Sequence, residues 1–129
     1  MTSPNTKAGK PRRLVVIGPC ASGKTTLVGG LRRLGYDAAV CGQEHSEIPT
    51  LWRHTAPDVV IALEIDLATL RRRRGSEWPE WLYDVQQRRL RQAVSSASIR
   101  VDAARLDESG VLREVTVRLT ELGAASSHG

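Results

Sequence analysis

The stretch GPCASGKT, Gly18 to Thr25, sets two glycines on either side of four residues and follows the second with an ammonium and a hydroxyl. The pattern G-x-x-x-x-G-K-[ST] is complete, and its chemistry is polyphosphate binding. Glycines at Gly18 and Gly23 let the backbone curl until successive N–H groups point inward. That makes an anion cradle at the positive end of a helix dipole. The candidate binding segment is Gly18, Pro19, Cys20, Ala21, Ser22, Gly23, Lys24, Thr25 and Thr26. Lys24 brings a compact charge for the β- and γ-phosphates, the Thr25 hydroxyl is placed to ligate Mg²⁺, and Thr26 faces the α-phosphate region. Lys24 is one of three lysines in an arginine-rich chain, and this is a position where a point charge differs from a planar guanidinium.

Such a loop works only between a buried strand and a helix, and both flanks supply one. Leu14–Ile17 is a continuous apolar run of the kind found in parallel strands covered on both faces. A helix is expected from Lys24 to Leu34, with Leu27, Leu31 and Leu34 on one stripe and Gly35 as its stop. Asp37–Cys41 reads as a second strand, Gly42–Thr55 as a loop with a helical turn around 49–53, and PDVVIALEID at 57–66 as the strongest strand. Asp66 caps a short helix ending before Gly75. A longer helix follows Pro79, with Trp81, Leu82, Val85, Leu90 and Val94 as its apolar face. Ser98–Ala103 is the last strand, and 109–122 a final helix. Strands alternating with helices imply an α/β fold, a three-layer α/β/α sandwich on a mostly parallel sheet of about four strands. Ligands bind along the carboxyl edge of such a sheet.

The chain has 129 residues, enough for one core. The organisation expected is a disordered tail at 1–11, one domain at 12–122 and a second disordered tail at 123–129. No segment has the run of about 18 apolar residues that a membrane helix needs, so a cytoplasmic protein without a membrane partner is expected. Cys20 and Cys41 lack metal or disulfide spacing and read as small buried side chains. The net charge of +5 comes from 19 Lys and Arg against 14 Asp and Glu, with arginines grouped at 12–13, 71–74 and 88–91. Clustered arginines favour polyanions. Aromatics are too sparse for the stacking groove of a single-strand binder, which makes nucleic acid the weaker partner and a nucleoside triphosphate the stronger.

Residues 12–34 resemble the Walker A segment of the P-loop NTPase superfamily. The segments PDVVIALEIDLATLRRRRG and SIRVDAARLDESGVLREV, within 57–122, resemble the C-terminal half of small nucleoside- and thymidylate-kinase-like members. This resemblance implies a P-loop NTPase type of fold, ATP or another nucleoside triphosphate with Mg²⁺, and a lid in which Arg71, Arg72 or Arg74 closes over the triphosphate. It also implies that Ala103, Ala104 and Arg105 flank the base. Because helical residues point about 100° apart, at most two of Arg71–Arg74 can face one ligand. The catalytic candidates are Lys24, Glu44, Arg71 and Arg74.

The pattern is shortened between the second strand and the lid strand. Only Gly42–Ala56 stands where such kinases carry an acceptor-binding segment and a further strand, so a small-molecule phosphoacceptor site is absent, reduced or completed by another copy in a homo-oligomer. Glu64 ends the apolar run of its strand in the form of a Walker B acid and could hold the water shell of Mg²⁺, with strand-end capping as the alternative. Glu44, on the loop after the second strand, could act as a general base or an acceptor-binding carboxylate. His45 beside it reads as a surface histidine. Two functions stay open: a kinase-like enzyme performing Mg-dependent phosphoryl transfer or ATP hydrolysis, and a nucleotide-sensing module without efficient catalysis. With no N/T-K-x-D element for guanine, ATP is the default nucleotide.

Overall fold

The computed structural model describes residues 12–123. The expected tail at 1–11 lies outside them, as does the expected tail at 123–129 apart from Gly123. Four strands form one parallel sheet: β1 (Arg13–Ile17), β2 (Asp37–Val40), β3 (Val59–Glu64) and β4 (Ile99–Asp102). Their order is β2-β1-β3-β4, with Val15 opposite Ala39 on one side and Val60 on the other, and Leu63 opposite Val101. The helices are α1 (Lys24–Arg33), α2 (Leu67–Arg74), α3 (Glu80–Ser95) and α4 (Glu108–Glu121). The fold is α/β, a three-layer sandwich compatible with the P-loop NTPase type.

The continuously apolar β1 and β3 lie in the middle because their side chains must be covered on both faces. Leu14, Val16, Ile61 and Leu63 join Leu27 and Leu31 of α1 and Val111, Val115 and Leu119 of α4 in one core. On the other face Val15, Ile17, Val60 and Ala62 meet Leu90 and Ala93 of α3, together with Trp52 and Cys41. Asp66 caps α2 by accepting from the Thr69 amide at 2.9 Å, and Asp107 caps α4 through the Gly110 amide at 2.7 Å. Among the described residues no helix is long and apolar enough to cross a membrane.

The face of α3 differs from its expected stripe. Trp81 stands 66% exposed, and the buried positions are Gln86, Leu90 and Ala93, spaced four and then three residues apart as a helix face requires. A polar residue, Gln86, therefore begins the buried stripe, directly under the loop that follows β1.

Because β2 and β3 flank β1, the chain reverses its direction of winding between them. The crevice at the carboxyl ends of β1 and β3 is the switch point where ligands collect in such sheets. The Gly18–Thr25 loop leaves β1 at that point.

Candidate functional site

The loop is held by its own polar groups. Ser22 Oγ donates to Pro19 O at 2.7 Å. Ala21 and Gly23 adopt positive φ, 65° and 95°, a conformation that turns the chain sharply into α1 and that glycine adopts without cost. Gly18 is needed for a different reason: a Cβ there would stand 2.6 Å from Ser22 Oγ and 2.8 Å from the Leu63 carbonyl. The loop thus packs on β3 with no room for a side chain.

No side chain caps the start of α1, whereas α2 and α4 each have an aspartate there. The first amides of a helix lack intrahelical acceptors, so α1 offers its own to whatever enters the crevice. Thr25 and Thr26 are exposed on this first turn.

Lys24 turns back across the loop. Its Nζ donates to the carbonyls of Gly18 and Pro19, each at 3.0 Å, and pairs with Glu44 Oε2 at 2.8 Å. The two side chains are 11% and 4% exposed. Glu44 comes from a 3₁₀ turn, Gln43–His45, directly after β2. Fully buried Gln43 anchors that turn, donating to Ile48 O at 2.8 Å and accepting from the Trp52 amide at 3.0 Å. Arg89 of α3 donates to Glu44 O at 3.2 Å and binds Glu47 at 2.6 Å. This hydrogen bond from Arg89, with the charges of Arg89 and Arg88, holds the Glu47 carboxyl below its usual range. Glu44 Oε1 is buried without a hydrogen-bond partner.

Gln86 of α3 reads the loop from below. Its Oε1 accepts from the Cys20 amide at 3.0 Å and its Nε2 donates to Cys20 Sγ at 3.2 Å. Two side-chain bonds from one buried amide fix Cys20 in place.

A cavity of about 650 Å³ opens beside Ser22, Gly23 and Thr26, with Arg73, Arg74 and Ala103 among its walls. Arg73 spans it, donating to Ala21 O at 2.6 Å and Ala103 O at 2.9 Å. Arg74 lines it, its guanidinium 5.9 Å from the Trp78 ring centre. The expected lid set is corrected here: Arg71 turns away and donates to Trp78 O at 3.0 Å, and Arg72 bonds the Thr69 hydroxyl. Arg73, which the sequence reading passed over, takes the central position. The far wall includes Ala103 and continues through Leu106 and Asp107, while Arg105 is exposed and does not line the cavity.

At Glu64, expected either to hold the water shell of Mg²⁺ or to serve as a strand-end carboxylate, the structure shows an ion pair. Its carboxylate pairs with Arg100 of β4 at 2.9 Å, beside a second hollow of about 350 Å³ walled partly by Pro19 and Arg91. The acid that reaches the loop is Glu44. Thr25 presents an exposed side chain at the loop's end.

No family model matches the chain, and no curated protein matches it. Among solved structures it is similar to the YorR protein from Bacillus subtilis, determined in complex with phosphorylated GDP. The TM-score is 0.56 at 12% identity, over 84% of this chain and 98% of that one. At that identity the likeness concerns the fold: the same arrangement of sheet and helices carries a nucleotide in the other protein.

Proposed function

We propose that the chain binds a nucleoside triphosphate, ATP by default, with Mg²⁺, and uses it for kinase-like phosphoryl transfer or hydrolysis. The observation that carries this reading is Lys24, folded over the mouth of the Gly18–Thr25 loop where the uncapped amides of α1 begin. A polyphosphate entering the crevice meets oriented N–H groups, an ammonium already at the site, and Arg73 and Arg74 on one side. Catalysis at such a site is positioning and electrostatic stabilisation of charge on the transferred group. Bound Mg²⁺ would supply charge neutralisation between phosphates, with Thr25 holding it. In the free protein Lys24 is satisfied by two carbonyls and Glu44, so binding exchanges the Glu44 contact for phosphate oxygens. Glu44 is then released beside the γ-phosphate position, where a base or an acceptor-binding carboxylate is required. The nucleoside has the 650 Å³ cavity between the loop and Ala103.

Calorimetry with Mg·ATP and Mg·GTP tests the reading. Lys24→Ala is expected to abolish binding, and an affinity equal to that of the unaltered protein would refute the assignment. GTP belongs in the titration because the similar structure holds a guanine nucleotide.

A second reading, a nucleotide sensor without efficient turnover, draws on the short β2–β3 interval. Two 3₁₀ turns, Gln43–His45 and Leu51–Thr55, fill it. Single-turnover hydrolysis no faster than that of Lys24→Ala, with and without candidate acceptors, would leave the sensor alone.

A further inference from the structure

Three side chains of metal-binding type meet next to the loop: Cys20 within it, and Glu44 and His45 on the turn after β2. One ligand atom from each lies within 4.8 Å of the other two. Cys20 Sγ stands 4.0 Å from His45 Nε2, and that nitrogen is 3.5 Å from Glu44 Oε2. Tetrahedral zinc, with bonds of about 2.3 Å to sulfur and about 2.0 Å to nitrogen or oxygen, needs donor atoms about 3.3–3.6 Å apart. The His45 side chain is 65% exposed, so its ring has freedom to close its own distance to Cys20 by the few tenths of an ångström required, while the Cys20 and Glu44 ligand atoms start within 4.8 Å of each other.

Two further observations point to a cation. Glu44 is 3% exposed, and while Oε2 is engaged by Lys24, Oε1 is buried with no partner. An unpaired buried carboxylate oxygen is costly, and a metal ion shared with the Glu44 carboxylate, whose Oε2 is the oxygen 3.5 Å from His45 Nε2, would offset that cost. Cys20 meanwhile accepts a hydrogen bond from Gln86 Nε2 at 3.2 Å, and Gln86 is 2% exposed. An outer-shell donor of this kind orients a thiolate ligand and stabilises its charge.

We propose that Cys20, Glu44 and His45 bind one thiophilic divalent cation of the zinc class, leaving a coordination position for water or an incoming ligand. Sulfur and imidazole in the set select against Mg²⁺ and Ca²⁺, which take oxygen ligands. The thiol proton passes to solvent on binding, as ligation requires. This site uses none of the residues assigned to Mg²⁺ and forms without nucleotide.

The test is a cobalt titration of the reduced full chain without nucleotide, followed spectroscopically and reversed by Zn²⁺. A single equivalent should produce a sulfur-to-cobalt charge-transfer band together with intense visible bands of tetrahedral cobalt. Cys20→Ser should remove the charge-transfer band, and Cys41→Ser should retain it. Replacing the exposed His45 by alanine leaves the core untouched and should weaken cobalt binding by at least the roughly tenfold that loss of an outer-shell partner produces. No band at one equivalent, a band that survives Cys20→Ser, or unchanged affinity in His45→Ala would each overturn the proposal. None of these outcomes depends on whether the loop binds ATP.

Discussion

Removing the charge of Lys24 should destabilise the protein more than removing the charge of Glu44, and removing both should cost less than removing Lys24 alone. The pair is separated by 2.8 Å and both side chains are nearly covered. At an effective dielectric of about 20 the attraction is roughly 6 kcal/mol. Desolvation takes several kcal/mol from each ion, so the intact pair contributes little net stability and a broken one is expensive, about 3–5 kcal/mol. The structure makes the two halves unequal. In Glu44→Leu, Lys24 keeps the carbonyls of Gly18 and Pro19. In Lys24→Met, Glu44 keeps only His45 at 3.5 Å. The assay is urea unfolding followed by far-ultraviolet circular dichroism. With a slope of about 2 kcal/mol per molar, a loss of about 4 kcal/mol moves the Lys24→Met midpoint down by roughly 2 M. Lys24→Met combined with Glu44→Leu should recover most of that shift. Additive losses, or a Lys24→Met shift below about 0.5 M, the range of an exposed ion pair, would refute the reasoning.

Gly18→Ala should lose about 1–3 kcal/mol, the usual cost of overpacking, because the new methyl meets Ser22 Oγ and the Leu63 backbone; an unchanged thermal midpoint would mean that the loop does not pack on β3 as described. The acid limb of stability should depend on Asp66, whose carboxyl is held below its usual range by hydrogen bonds from the Thr69 hydroxyl and amide. A depressed folded value means that the unfolded chain binds the proton first, so this stabilisation is complete above about pH 4 and fades as pH falls through the folded value. Asp66→Asn, which caps without titrating, should give a flatter unfolding midpoint across acid pH, and an identical pH profile would contradict the cap.

The sheet was legible because β1 and β3 are continuous apolar runs, buried without a break over Leu14–Ile17 and Val59–Leu63. Asp66 before Leu67 and Gly75 after Arg74 bounded α2 by capping chemistry alone. The loop was legible because glycines, lysine and threonine at fixed spacing answer a geometric demand that no ordinary turn makes. Long-range pairing was what remained hidden. Nothing near Glu64 indicates that Arg100, from the neighbouring strand, will occupy its carboxylate. The run Arg71–Arg74 shows that few of its members can face one ligand, but the rotation of α2 about its axis, fixed by burial of Leu70, decides that Arg73 does. On α3 the apolar positions alone do not mark the buried face, because Gln86 belongs to it and Trp81 does not. Cys20 looked like an ordinary small hydrophobe in sequence. Gln86 of α3, and the turn carrying Glu44 and His45 that the pairing of β2 with β1 brings against the loop, give it polar company.

Arg73, itself part of the cavity wall, ties the Ala21 carbonyl of the loop to the Ala103 carbonyl after β4. The gap between them is therefore gauged by α2, and a displacement of that helix would pull both rims at once, making the short helix that Leu70 pins to the core the natural tuning element of the cleft's width.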